Sequence, residues 1–364
     1  MKYKRRVAIG LSGGVDSAVS AALLVEQGYG VTGVFLECWK EPGCRTDEDR
    51  KDALGVALKL KIPFKVLDFK REYKARVVDY FYSEYKAGKT PNPDVMCNKE
   101  IKFGLFYDWA MKQGFDFVGT GHYARVKNNQ LLRGVDGKKD QTYFLYRLRE
   151  EQLGHILFPV GEMTKAQVRA EARKRHLPVA DKPDSTGICF IGERNFKDFL
   201  SQYIESSKGN FVDVSGRVLG QHDGTCFYTL GQRKGMGIGG PGEAWFVVAK
   251  DFAKNEVILA QGQDHPALYA DGLSAVELNW LIDSPQGTFK CKAKVRYSQP
   301  EQPCTVTVEG NRVKVVFDHP QRAMTQRQSV VFYDGEKCIG GGIIDEIAPN
   351  YFVLGRGLPE VLSV

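Results

Sequence analysis

No stretch of about 18 or more consecutive apolar residues occurs in the 364-residue sequence, which excludes a bundle of membrane-spanning helices. Its eight cysteines (38, 44, 97, 189, 226, 291, 304 and 338) form no C-x-x-C pair and lie near no histidine doublet, so the usual structural zinc patterns are excluded and no metal is assigned. Internal repeats and low-complexity tracts are missing as well. The basic start, Lys2 to Arg6, and the apolar Val7 to Leu11 are interrupted by Gly13, Gly14 and Asp16, too early for a secretory leader. A cytoplasmic chain with reduced thiols is expected. Excess charge of either sign is small, with 51 basic against 44 acidic residues. It is unevenly placed, however: residues 1–200 hold 35 basic and 26 acidic side chains, and 201–364 hold 16 and 18. A positive front half suits a polyanion such as RNA.

What is present is an ordinary globular composition, 43% hydrophobic, at a length that predicts two or three domains. Over residues 1–205 short apolar runs alternate with helical patterns, the signature of an α/β domain with a mainly parallel sheet. Val7 to Leu11 and Val31 to Leu36 read as strands around a helix from Asp16 to Gln27 that Gly28 ends. Thr46 and Asp49 form a capping-box pattern before a second helix, which Pro63 stops ahead of strand Phe64 to Phe69. Helices are expected at about 71–87, 98–113 and 164–176, the last rich in Arg and Lys, with a strand at 115–120. Beyond about residue 205 short β-rich runs predominate. A boundary near 283 then divides a β-rich central domain, 206–283, from a C-terminal β-barrel, 284–364.

The sharpest local signal is Gly10-Leu11-Ser12-Gly13-Gly14-Val15-Asp16-Ser17, set between a strand and a helix. Paired glycines let successive N–H groups converge on an anion, and the helix start adds a positive dipole, so a phosphate is the expected occupant. The string lacks the G-K-[ST] ending of a Walker loop and the G-x-G-x-x-G of dinucleotide folds. It resembles the loop of ATP pyrophosphatases, enzymes that split ATP between the α- and β-phosphates and activate a carbonyl oxygen by adenylation. Two cysteines stand on irregular segments: Cys97 after Asn92-Pro93-Asp94, at a loop-to-helix junction where dipole and Lys99 would lower a thiol pKa, and Cys189 in Asp184 to Gly192. As bare residues, each reads first as a small buried gap-filler, and only second as a reactive thiol.

Taken with Gly119 to Tyr123, Lys139-Asp140-Gln141 and Thr229 to Gly235, these segments resemble the bacterial tRNA-specific 2-thiouridylase family over about residues 7–344. The resemblance implies ATP with Mg2+ held at Gly10, Leu11, Ser12, Gly13, Gly14, Val15, Asp16 and Ser17, with Leu36 and Gly121 against the nucleotide. It places Asn92, Pro93 and Asp94 around the target base, and His122, Lys139, Asp140, Gln141, Arg296, Tyr297 and Gln328 against tRNA. Cys189 would carry a persulfide received from a cysteine-desulfurase-derived donor, Cys97 would resolve it to a Cys97–Cys189 disulfide, and Asp94 would act as general acid or base, or as a turn cap. An iron–sulfur cluster on Cys97, Cys189 and Asp94 is the alternative within this reading, and the persulfide is preferred.

Lys290, Lys292, Lys294 and Arg296 alternate with strand period, so all four cations are expected on one face toward phosphate. Gln326-Arg327-Gln328 departs from the family's usual Pro-Gly-Gln turn, and Leu36 replaces a frequent Met. Two other classes compete: an adenylating enzyme that uses ammonia, for which no glutaminase domain is evident, and a non-enzymatic RNA-binding adaptor, against which the intact Ser12 to Ser17 loop argues.

Overall fold

The structure, a computed structural model, describes residues 5–41, 44–184, 190 and 196–359. Five parallel strands open the chain: β1 Arg6–Gly10, β2 Gly30–Glu37, β3 Phe64–Asp68, β4 Phe117–Gly119 and β7 Ile156–Leu157, in the order β3-β2-β1-β4-β7. Between β4 and β7 lies a hairpin, β5 Ala124–Lys127 and β6 Gln130–Arg133. Alternate residues of β1 serve opposite faces. Val7 and Ile9 pack with Ala18 and Ala21 of helix α1 (Val15–Glu26) and Val56 of α2 (Thr46–Leu60), while Ala8 joins Phe103, Phe106 and Val118 beneath. Because β2 and β4 flank β1 on opposite sides, a crevice opens at the carboxyl ends of β1 and β4, where such sheets place ligands.

Local chemistry accounts for the helix ends. Gly28, at φ +85°, turns the chain out of α1. The capping box expected at Thr46 does not form: Arg45 is the cap residue, and the Thr46 hydroxyl donates instead to the Trp39 carbonyl at 2.7 Å. The helix expected near 71–87 runs from Lys70 to Lys86 with a π-helical stretch at Lys74–Val78. The one expected to begin at Asn98 begins five residues earlier. Pro93–Cys97 is α-helical and Asn98–Leu105 π-helical, ahead of Phe106–Lys112, because Asn92 caps the start and Pro93 fits its first position.

The central part is a four-stranded sheet, β10-β11-β8-β9, from β8 Gly209–Asp213, β9 Val218–His222, β10 Trp245–Asp251 and β11 Glu256–Gln261. Six strands then close into a barrel, β12-β15-β14-β13-β16-β17, with β12 also pairing with β17. They are β12 Tyr269–Trp280, β13 Thr288–Lys294, β14 Gln302–Glu309, β15 Arg312–Arg322, β16 Ser329–Asp334 and β17 Lys337–Ile347. The fold class thus agrees with the sequence reading. The barrel's first strand starts at Tyr269, ahead of the boundary drawn near 283, because the Asp283 to Gly287 turn joins two barrel strands. The hairpin β5–β6 extends the barrel sheet through Leu132 and Lys337 of β17.

Candidate active site

Gly10 to Ser17 lies at the mouth of the crevice. Gly14 is the cap residue of α1 and makes no side-chain cap, so the first-turn N–H groups are not closed off by a side chain. The Ser12 and Ser17 hydroxyls stand 3.2 Å apart, and Ser17 donates to the Gly14 carbonyl at 3.1 Å. Gly13, at φ +77°, passes so close to α2 that a Cβ would lie 2.3 Å from the Asp49 carbonyl oxygen. Gly121 is equally constrained: its Cβ would lie 2.6 Å from the Ser17 amide nitrogen. Leu11 and Val15 are buried and anchor the loop, and Leu36 is partly exposed at the end of β2. An uncapped helix start bordered by glycines that tolerate no side chain fits a polyphosphate.

Charged groups surround this loop, and the sequence reading did not single out Lys165, Arg169 and Lys182 among them. Asp16 accepts from the Tyr123 hydroxyl at 2.7 Å and from Lys165 Nζ at 2.7 and 2.8 Å. Lys165 also contacts Asp184 at 2.8 Å, and Asp184 is reached by Arg169 at 2.6 Å and Lys139 at 2.9 Å. Burial acts to raise the Asp184 carboxyl, but hydrogen bonds from Lys165 and Lys139 outweigh it and hold the group well below the ordinary carboxylate range. Lys182 donates to the Gly13 carbonyl at 3.0 Å and pairs with Asp49 and Asp52. The Arg- and Lys-rich character of the helix Lys165–Lys174 was the available signal for this cluster.

The Asn92 segment forms the second part of the site. Asn92 Oδ1 accepts from the amides of Asp94 and Val95 at 3.1 and 3.3 Å, so Asn92, not Asp94, is the cap. Pro93 is buried as the first helical residue. The Asp94 carboxyl is left for other work. Its enclosure raises it above the ordinary value, with the Lys102 charge opposing. Lys102 Nζ is 3.5 Å from His122 Nε2, and His122 Nδ1 is 2.8 Å from the Thr120 hydroxyl. Burial, aided by the Lys102 charge, keeps the His122 imidazole neutral. Cys97 is buried at the end of the first helical turn and a half, in a cluster with Tyr73, Phe81, Ile101 and Phe190. It therefore stands past the first turn, where dipole assistance is weaker than at the junction expected. Lys99 pairs with Glu100 at 3.0 Å. Cys189 lies outside the described residues.

The remaining sites of the sequence reading are dispersed. Asp140 is buried and accepts from the Gly134 and Thr142 amides and the Thr142 hydroxyl. Gln141 Oε1 accepts from the Tyr123 amide at 2.9 Å. Tyr297 packs on Phe144 with ring centroids 4.5 Å apart. The row of four cations is split: Lys290 and Lys292 are exposed, Lys294 is buried 3.9 Å from Asp140, and Arg296 donates to the carbonyls of Leu230 and Ala323. Ala293 and Val295 fill the barrel interior, and contacts outside it, with Asp140 for Lys294 and with Leu230 and Ala323 for Arg296, claim the last two, which strand period alone could not show. Arg327 takes φ +69°, the conformation that favours glycine at this turn, and is held there by Glu84 at 2.8 Å and Glu277 at 3.4 Å.

Comparison with known proteins places this geometry in a family. Three family models match in chain order: the tRNA methyl transferase HUP domain over residues 5–193, the tRNA methyl transferase PRC-barrel domain over 197–261, and the aminomethyltransferase beta-barrel domain over 270–344. A tRNA-specific 2-thiouridylase MnmA of Alkaliphilus oremlandii is 52% identical over 94% of this chain and 97% of its own. Proteins of the same name from Streptococcus uberis and Francisella philomiragia are 52% and 51% identical, over 94% and 93% of this chain and 95% and 99% of theirs. At such identity along nearly the whole of each chain, this chain belongs to the tRNA-specific 2-thiouridylase family.

Proposed function

We propose that the chain is a cytoplasmic ATP-dependent tRNA sulfurtransferase that replaces the C2 oxygen of the wobble uridine by sulfur. The observation that carries the reading is the Gly10 to Ser17 loop, seated at the crevice with an uncapped helix start. In this reading the loop holds the phosphates of Mg-ATP while the C2 oxygen attacks the α-phosphorus and pyrophosphate leaves. Attachment to AMP turns a poor leaving group into a good one. Asn92, Pro93 and Asp94 surround the base, and the raised Asp94 carboxyl is suited to exchanging a proton there.

Sulfur delivery then needs a nucleophile. The terminal sulfur of a Cys189 persulfide, charged by a donor protein, attacks C2. Cys97 Sγ next attacks Cys189 Sγ, and the sulfur–sulfur bond breaks with its electron pair left on the transferred sulfur. AMP departs with the original C2 oxygen, and a Cys97–Cys189 disulfide remains. Lys139, Gln141, Tyr297 and Gln328 are the proposed tRNA-side contacts, with His122, Asp140 and Arg296 shaping the surface beneath.

A thiolation assay tests this. Unmodified tRNA transcript, Mg-ATP and a persulfide donor should yield 2-thiouridine and AMP with the unaltered protein and no 2-thiouridine with Cys189→Ser. Binding of tRNA with neither product would replace the enzyme reading by the adaptor reading. Stoichiometric iron and acid-labile sulfide in anaerobically purified protein would replace the persulfide by a cluster.

A further inference from the structure

Beside the phosphate-binding loop, five charged side chains converge on one another: Asp16, Lys139, Lys165, Arg169 and Asp184. Three are cations and two are carboxylates, which leaves the set positive. Their placement is specific. Asp16 is in the first turn of α1, two residues after Gly14, so the Lys165 ammonium, 2.7 Å from Asp16, stands within one side chain's reach of the first-turn amides. From the other side Lys182 grips the Gly13 carbonyl, and Asp184 follows it two residues on. The segment 182–184 thus crosses the mouth of the loop and puts a carboxylate on the cations nearest to it.

Asp184 is one-third exposed and lies on all three cations of the set. It is readily explained as an anion seated where another anion goes. We propose that Lys165, with Arg169, binds the β- and γ-phosphates of ATP, and that Asp184 occupies these cations until the polyphosphate displaces it. Asp16 keeps Lys165 aimed at the loop in both states, helped by the Tyr123 hydroxyl. The inference rests on the ATP reading and adds to it a set of ligands and an internal competitor.

Opposite signs make the idea testable. Titration calorimetry with Mg2+ and α,β-methylene-ATP, whose α–β bond cannot be cleaved, should show roughly tenfold weaker binding for Lys165→Gln and a smaller loss for Arg169→Gln. Asp184→Asn should bind the analogue several-fold tighter, because the competitor loses its charge. AMP, which lacks the outer phosphates, should bind all three variants within about twofold of the unaltered protein. Lys165→Arg, which keeps the charge, should recover much of the loss. Weaker analogue binding by Asp184→Asn, or an equal loss for AMP and the analogue in Lys165→Gln, would overturn the inference and leave the ATP reading standing. An unaltered, folded protein that binds neither ligand would overturn the ATP reading itself, and the inference with it.

Discussion

The side-chain amide of Gln328, on the barrel, donates to the backbone oxygen of Thr90 in the first domain across 2.8 Å, and reaches Pro91 O at 3.3 Å. The Thr90 amide answers by donating to the Gln326 carbonyl, and Arg327 pairs with Glu84. The residues leading into Asn92 are therefore held by the far end of the chain.

Replacing Gln328 by alanine removes both side-chain bonds, worth about 0.5–1.5 kcal/mol each. Thiolation should fall roughly tenfold in kcat at saturating tRNA, where loss of a tRNA contact alone would raise only KM, while binding of the nonhydrolysable ATP analogue stays as it was. Steady-state kinetics beside calorimetry would check this, and an equal loss of nucleotide affinity would show that the tie does not act on the Asn92 segment.

Gly121→Ala should damage nucleotide binding from outside the loop. The added Cβ meets the backbone of Asp16 and Ser17 at 2.6–3.0 Å, and no flexible side chain is available to give way. The start of α1 has to shift, and nucleotide binding that depends on its geometry should drop at least about tenfold. Melting temperature and nucleotide affinity, measured together, separate a local shift from a general loss of fold.

Lys250 gives a pH signature. Its ammonium donates to the Gly88 and Tyr228 carbonyls, and burial lowers it to about 8 from 10.5. Between those values the unfolded chain holds a proton that the folded chain has released, so folding stability rises with pH across that window. At about 1.36 kcal/mol per pH unit, the gain from pH 8 to 10 is roughly 2 kcal/mol. Urea unfolding of the unaltered protein and Lys250→Met at both pH values should show this gain only where the lysine is present.

Among the barrel cations, two roles should separate. Lys290→Ala and Lys292→Ala should each weaken tRNA binding and lower the salt slope by about 0.7–0.9 for each phosphate no longer neutralised, with no change in melting temperature. Lys294→Ala should instead destabilise by about 1–3 kcal/mol, since its partner Asp140 is buried beside it. An unchanged salt slope in the first pair would assign β13 to a solvated face.

Legibility in the sequence followed the range of the interactions. The βαβ start, Gly28 as a helix terminator and the strand–loop–helix setting of Gly10 to Ser17 were readable because each depends on neighbours a few residues apart. Lys294 and Arg296 are turned to protein partners, Asp140, Leu230 and Ala323, which the alternation of residues 290–296 cannot register. Lys165 was overlooked for the same reason: its partners Asp16 and Asp184 come from other elements. The early helix start at Pro93 was missed although Asn-Pro is a helix-start signal, because the Pro- and Gly-rich stretch before it reads as loop.

The union of Leu132 in β6 with Lys337 in β17 also constrains biosynthesis. A ribosome releases the hairpin some two hundred residues before the strand that extends it, at about 5–20 residues per second. For tens of seconds the nascent catalytic domain carries an open β edge, the feature on which chains aggregate. The last strands of the barrel are thus also the cover for the first domain, and a stop codon placed before β17 would leave that edge bare in every molecule made.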